Sequence, residues 1–260
     1  MNVMDELSGA IERHEIGAHF QPQIDVKTGL IVAVELLSRW SHPTRGLIGP
    51  DEFIPLAEES GLIDEIGAVM IDLGCECAAD WQSRGWNIQV AVNVSAAELP
   101  ASRFLVRILE NVDRLHLDPS GLTVEITESR AINDAREAVA RLTVLRGLGV
   151  GVSIDDFGTG HSSIDQLLAL PSTEVKLDRS LVQSDDEESL RAMEIIVALA
   201  HVRRVSVVAE GVETAEHLER VRLLGCDRAQ GFYLARPGPR AEIEAMLELQ
   251  DAARPREEIA

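Results

Sequence analysis

A chain of 260 residues with 45% hydrophobic content can bury one large core. Only 3% of it is aromatic, so that core must be built from Val, Ile, Leu and Ala, a mixture suited to strands covered on both faces. The formal net charge of −20 argues against a DNA or RNA polymer, or an anionic membrane surface, as partner, because both need a basic face. A phosphate-bearing small ligand stays open, since bound cations can reverse the local field. Three cysteines make no disulfide framework. Cys75 and Cys77 are two apart on an expected helix, Cys226 is distant, and there is no CxxC pair to hold zinc. Buried thiols in a reducing cytoplasm are expected. The first residues lack a basic-then-apolar leader, and no apolar run reaches the length of about 18 residues that suggests a membrane span.

Residues 1–17 read as a lead-in helix with Leu7, Ile11 and Ile16 apolar. Strands are expected at 19–24 and 30–37, joined through Lys27-Thr28-Gly29. That connection is too short for a crossover, so the two strands should be antiparallel. Asp51 is expected to cap a helix that stops at Gly61, and a second helix covers 64–83. A strand at 88–93, a helix at 102–115, a turn at 118–121 and a strand at 122–126 follow. Asn133 or Asp134 should cap the next helix, which carries Ala138, Leu142 and Leu145 on one face. Then come a strand at 150–155, a short helix at 162–169 and a strand at 174–177. Ser184 is expected to cap a long helix with an acidic first turn and Arg203-Arg204 at its end, an order that suits the helix dipole. A strand at 205–209, a helix capped by Thr214, a short strand at 228–230 and a helix at 240–250 complete the pattern. Residues 251–260 read as a polar tail. Eight strands alternating with helices predict an α/β chain, a TIM-like (β/α)8 barrel over residues 1–250 as one domain. A doubly wound open sheet is the alternative.

Polar residues recur where these strands run out: Glu35, Asn93, Glu125, Asp155 with Asp156, Lys176 with Asp178, Glu210 and Gln230. In a barrel those ends converge on one face. Carboxylates and an Asn carbonyl are hard oxygen ligands, suited to Mg²⁺, Mn²⁺ or Ca²⁺. Glu35, Glu125, Asp155, Asp156, Glu210 and Glu213 would put six carboxylates into one bowl, and without cations some would have to protonate. The adjacent Asp155 and Asp156 could divide between two ions. Lys176 could steady a phosphate oxygen or simply neutralise its neighbours.

Nine segments carry a resemblance when taken in order. They are Glu35-Leu36-Leu37-Ser38-Arg39-Trp40 with Gln21-Pro22 before it, Phe53-Ile54-Pro55-Leu56-Ala57-Glu58, Asn93-Val94-Ser95 and Glu125-Ile126-Thr127-Glu128. Asp155-Asp156-Phe157-Gly158-Thr159-Gly160, Lys176-Leu177-Asp178-Arg179-Ser180, Ala209-Glu210-Gly211-Val212-Glu213 and Gln230-Gly231-Phe232 follow. With these the chain resembles, over nearly its whole length, the EAL-domain family of cyclic-di-GMP phosphodiesterases. The resemblance implies a barrel with an antiparallel first strand. It also implies hydrolysis of cyclic-di-GMP to linear 5'-pGpG, by water activated with two Mg²⁺ or Mn²⁺ ions and inhibited by Ca²⁺. It implies Glu35, Asn93, Glu125 and Asp155 as ligands of one ion, and Asp155 and Asp156 as ligands of the second. Lys176 would meet water or phosphate, Glu210 would act as a metal-site or base carboxylate, and Gln230 would orient the water. Gln21, Arg39 and Asp178 would touch substrate, with Glu213 beside them. Glu128 and Glu213 would support the loop after Asp156 and the metal site. A homodimer formed near residues 157–170 is the expected assembly. Two positions depart from the family pattern: Leu36 stands where Ala is usual, and His161 where Tyr is usual. A catalytically weak cyclic-di-GMP receptor is the second functional reading, and an enolase-like barrel enzyme the third.

Overall fold

The structure, a computed structural model, describes residues 3–95, 98–99, 102–127, 135–158 and 164–253. Helix α1 (Val3–Glu12) is shorter than the predicted lead-in. His14 turns the chain at φ 56, and residues 16 and 17 already belong to strand β1 (Ile16–Asp25). Strand β2 (Ile31–His42) returns antiparallel to it, with Gln21 opposite Glu35. A three-residue strand β3 (Gly46–Ile48), not foreseen from sequence, extends the hairpin on β2.

Helices α2 (Pro50–Ser60) and α3 (Ile63–Ser83) follow. Gly49, not Asp51, is the N-cap of α2, because Pro50 takes the first helical position. Asp51 instead adds negative charge to the first turn, where the dipole favours it. Gly61 ends α2 in the left-handed conformation. The alternating units are then β4 (Gln89–Val94), α4 (Arg103–Leu115), β5 (Leu122–Thr127), α5 (Ala135–Leu148), β6 (Gly151–Phe157), α6 (Ile164–Ala169) and β7 (Glu174–Leu177). A short α7 (Arg179–Val182), α8 (Glu187–Val202), β8 (Ser206–Ala209), α9 (Ala215–Leu224), β9 (Arg228–Ala229) and α10 (Arg240–Ala253) complete the chain. The cap of α8 is Asp186, whose carboxylate accepts from the Ser189 N–H at 2.8 Å; Ser184 donates to Asp186 instead. Thr214 caps α9 as predicted, accepting from the His217 N–H. The expected cap at Asn133 or Asp134, and positions Glu128 and His161, lie outside the described residues.

Eight strands close into a ring in the order β1-β2-β4-β5-β6-β7-β8-β9 and back to β1. Strand β1 is antiparallel to both neighbours, and the other pairs in the ring are parallel. The result is the TIM-like barrel with an antiparallel first strand that the sequence predicts, not the open sheet. Outward faces of the strands, such as Val34, Leu36, Val90, Val92, Val124, Val152 and Ile154, pack under the helices in one continuous core. Helix α3 comes very close to β4: a Cβ on Gly74 would lie 2.4 Å from Val92 Cγ2, so only glycine fits there. All three cysteines are buried, and burial pushes each thiol up to about 12. Among the described residues no helix is long and apolar enough to cross a membrane.

Candidate active site

The parallel strands all end on one face, and the predicted polar residues meet there. Their centre is Lys176 on β7. Its Nζ lies 3.1 Å from Glu35, 2.9 Å from Glu125, 3.2 Å from Asp155 and 2.7 Å from Glu210. The side chain is wholly buried. Burial alone would lower the pKa of Lys176, but Asp155, Glu125, Glu210 and Glu35 outweigh it and hold the ammonium charged well above the usual range.

The carboxylates are held unequally. Burial pushes Glu35 up, yet Lys176 and hydrogen bonds from Asn93 Nδ2 (2.9 Å) and Gln230 Nε2 (2.7 Å) keep it below the ordinary value. Glu125, fully buried and facing Glu35, is raised well above it. Burial, which Lys176 only partly offsets, together with Asp155 and Glu35 pushes Glu210 up to about 8. Gln230 Nε2 also donates to Gln21 Oε1 at 3.0 Å, which ties the last strand to the first.

The Asp pair reaches the bowl through a fault in the sheet. Consecutive residues of a regular strand point to opposite faces. The β6–β7 ladder breaks between Ile154 and Phe157, and Asp156 takes φ 55. Carboxylate oxygens of Asp155, Asp156 and Glu210 therefore lie within 4.8 Å of one another. Burial and the neighbouring Asp155 and Asp178 raise Asp156 to about 6.

The donor set fits divalent cations. Five acids, Glu35, Glu125, Asp155, Asp156 and Glu210, face one ammonium, so the site carries surplus negative charge. The buried Glu125 Oε1 and Asp155 Oδ1 have no hydrogen-bond partner, although Asp155 Oδ1 is within ion-pair distance of Lys176. Hard oxygens in this number are what Mg²⁺ or Mn²⁺ would neutralise. The geometry groups Asp155, Asp156 and Glu210 around one point, while Glu35 takes Asn93 and Lys176 and Glu125 takes Lys176.

The remaining predicted residues form the rim. Arg39 donates to the Ser38 carbonyl at 2.8 Å and lines an open recess of about 450 Å³ with Gln21, Leu37, Asp51, Phe232 and Pro237. Asp178 accepts from the Ser180 N–H at 2.8 Å and so caps α7. The Glu213 side chain is exposed. A second recess of about 380 Å³ runs from Glu35 and Asp155 beneath α2 to Glu98.

Sequence reasoning assigned no role to Glu58, Ser95 or Glu98. Ser95 Oγ donates to Glu58 at 2.7 Å, and the Ser95 N–H donates to Glu98 at 2.9 Å, so the end of the Phe53–Glu58 segment is joined to the chain beside Asn93. Burial raises the Glu98 carboxyl to about 7. Glu58 and Ser95 stood inside recognisable motifs and could have been paired; nothing in sequence marked Glu98 as buried.

A family model described as EAL domain matches residues 4–237. MucR of Pseudomonas aeruginosa, a bifunctional diguanylate cyclase/cyclic di-GMP phosphodiesterase, is 40% identical over 250 residues, covering 94% of this chain and 36% of MucR. The cyclic di-GMP phosphodiesterase NbdA of the same organism is 36% identical over 261 residues, covering 98% of this chain and 33% of NbdA. The chain thus spans about a third of the length of these curated relatives. A solved structure of the PaMucR phosphodiesterase in complex with c-di-GMP superposes with a TM-score of 0.88 at 39% identity, over 94% of this chain and 100% of that one. With its closed barrel, its strand-end acids and a match across nearly its whole length, the chain belongs to the EAL domain family.

Proposed function

We propose that this chain hydrolyses cyclic-di-GMP to linear 5'-pGpG. The carrying observation is the buried Lys176 tied to four carboxylates, with Asp155, Asp156 and Glu210 converging beside it, in a chain similar to named cyclic di-GMP phosphodiesterases. Two cations, Mg²⁺ or Mn²⁺, held by Glu35, Asn93, Glu125, Asp155 and Asp156, would supply Lewis-acid stabilisation of the phosphate and a lowered pKa for water.

The chain's own residues do the rest. Lys176 stays protonated and sets a fixed positive charge where the phosphoryl group gains negative charge. Glu210, raised to about 8, is the carboxyl best matched to holding and returning a proton near neutral pH. Gln230, fixed by Glu35 and Gln21, presents an amide that orients the attacking water. Arg39, Gln21 and Asp178 hold the substrate from the rim, with the exposed Glu213 beside them making a minor contact. Ca²⁺, larger and more flexibly coordinated, would fill the site and slow the reaction. The protein works as a cytoplasmic homodimer.

Purified protein incubated with cyclic-di-GMP and resolved by chromatography tests this. The linear dinucleotide should form with Mg²⁺ or Mn²⁺ and not with Ca²⁺ or chelator. Glu35→Ala should fall to background while its circular dichroism stays that of the parent. Tight binding without linear product would make the chain a receptor, and undiminished turnover by Glu35→Ala would end the assignment.

A further inference from the structure

Inward-facing side chains of a strand recur every second residue. Two residues below the bowl, the barrel's inner wall carries Gln23, Ala33, Ala91, Thr123, Ser153, Glu174, Val208 and Arg228. In a barrel of this kind such a layer is filled by branched aliphatic side chains. Here Val208 is the one branched aliphatic, and the other residues of the layer are small or polar. Ala33 and Ala91 are each 2% exposed, yet neither joins the continuous apolar core under the helices.

Gln23 is the outlier. It is 1% exposed, and neither its Oε1 nor its Nε2 has a hydrogen-bond partner. Ser153 faces Glu174 closely enough to hold that carboxyl down in part, but its hydroxyl lies outside hydrogen-bond geometry. Glu125, the register partner of Ser153, leaves its Oε1 unpartnered as well. Strands β1 and β6, which carry Gln23 and Ser153, stand four steps apart around an eight-membered ring, on opposite walls. Within this layer Arg228 reaches Glu174 at 3.0 Å, and it also reaches Gln89, two residues further down β4, at 2.5 Å, so it ties three strands together.

A buried amide with both ends unmade costs more than an ordinary hydrogen bond returns. Sites that are polar on several sides and lined by small residues are where internal water is held. We infer that the barrel interior beneath the bowl is a water site, in which ordered molecules span from the Gln23 amide to the Ser153 hydroxyl and touch Glu125 Oε1 from below. The alanines add little side-chain bulk, the polar groups hold the water, and the Arg228–Gln89 contact lies beneath it. Glu125 is then hydrated from beneath although no part of it reaches the surface. The inference does not depend on the phosphodiesterase reading.

Water-oxygen magnetic relaxation dispersion on the full chain counts long-lived internal water and needs no activity. Gln23→Met keeps the side-chain volume and deletes both polar ends. It should lose at least one long-lived water and lower the Tm. A crystal structure of the parent should show water density within hydrogen-bond reach of the Gln23 amide. An unchanged water count would overturn the inference, as would a raised Tm in Gln23→Met, the result expected when an unsatisfied amide leaves a dry interior. If Gln23→Met does not fold, Ser153→Ala carries the same count with a smaller perturbation.

Discussion

Lys176 and Arg39 are both cations of one bowl, and they are held in different ways. The Lys176 ammonium is sealed among four carboxylates. The Arg39 guanidinium spends one hydrogen bond on the Ser38 carbonyl beside an open recess, where partial burial lowers its pKa. A charge whose partners are already in place needs no reorganisation when negative charge develops nearby. A charge on an open rim gains its partner only when ligand arrives. The floor of the bowl is therefore suited to the reaction step, and the rim to binding.

The largest break comes from Lys176→Met. Removing one partner of a buried ion group costs about 3–5 kcal/mol, and turnover should fall by at least about 100-fold. The orphaned carboxylates must then protonate to stay buried, so the deficit in urea unfolding should shrink from pH 8 to pH 5. A deficit that grows toward acid would show that the floor is not held by this cation.

Arg39→Ala should raise KM by about 10- to 100-fold, the worth of a hydrogen bond to a charged group, with kcat changed much less. An equal loss in kcat would move Arg39 to the floor's side of the comparison.

The acids predict a pH signature. The folded pKa of Glu210, about 8, and of Asp156, about 6, both exceed their ordinary values of 4.5 and 3.8. The folded chain thus binds more protons than the unfolded chain inside those windows, and stability falls as pH rises through them. The Tm of chelator-treated protein should drop from pH 5 to pH 8.5, and Mg²⁺ should flatten that slope. A rising Tm over this range would contradict the assigned shifts.

Glu213→Gln is expected to be mildest, within about threefold in kcat/KM, because substitutions at exposed positions cost about 0.5 kcal/mol or less. A loss comparable to Lys176→Met would mean that ligand draws Glu213 down to the floor.

Strand positions were readable because aliphatic alternation and turn residues bracket each strand, and the short Lys27-Thr28-Gly29 connection dictates the antiparallel start. The strand-end acids were readable because a barrel brings those ends together whatever the loops do. Helix starts were less legible. Asp51 and Asp186 are equally good caps on paper, and only the Pro50 ring demotes the first while backbone geometry selects the second. Strand β3 is three residues long and two of them are exposed, too little for a periodicity to register. The four-way contact of Lys176 depends on distances between residues up to 141 positions apart, which no local pattern encodes. The polar second layer was hidden for a related reason. Gln23, Ser153 and Arg228 look like ordinary solvent-facing members of alternating strands until the sheet closes and turns their solvent side inward.

The left-handed backbone at Asp156 also restricts what evolution can put there. Asp and Asn accept such a conformation, glycine adopts it freely, and β-branched side chains resist it. The alphabet open to this position is therefore short before chemistry is considered. Asn or Gly preserves the fault in the sheet and silences the charge, whereas Val or Ile removes the charge and also pushes β6 back toward a regular strand. Shape and charge at the bowl-facing end of β6 are two separable inheritances carried by one residue.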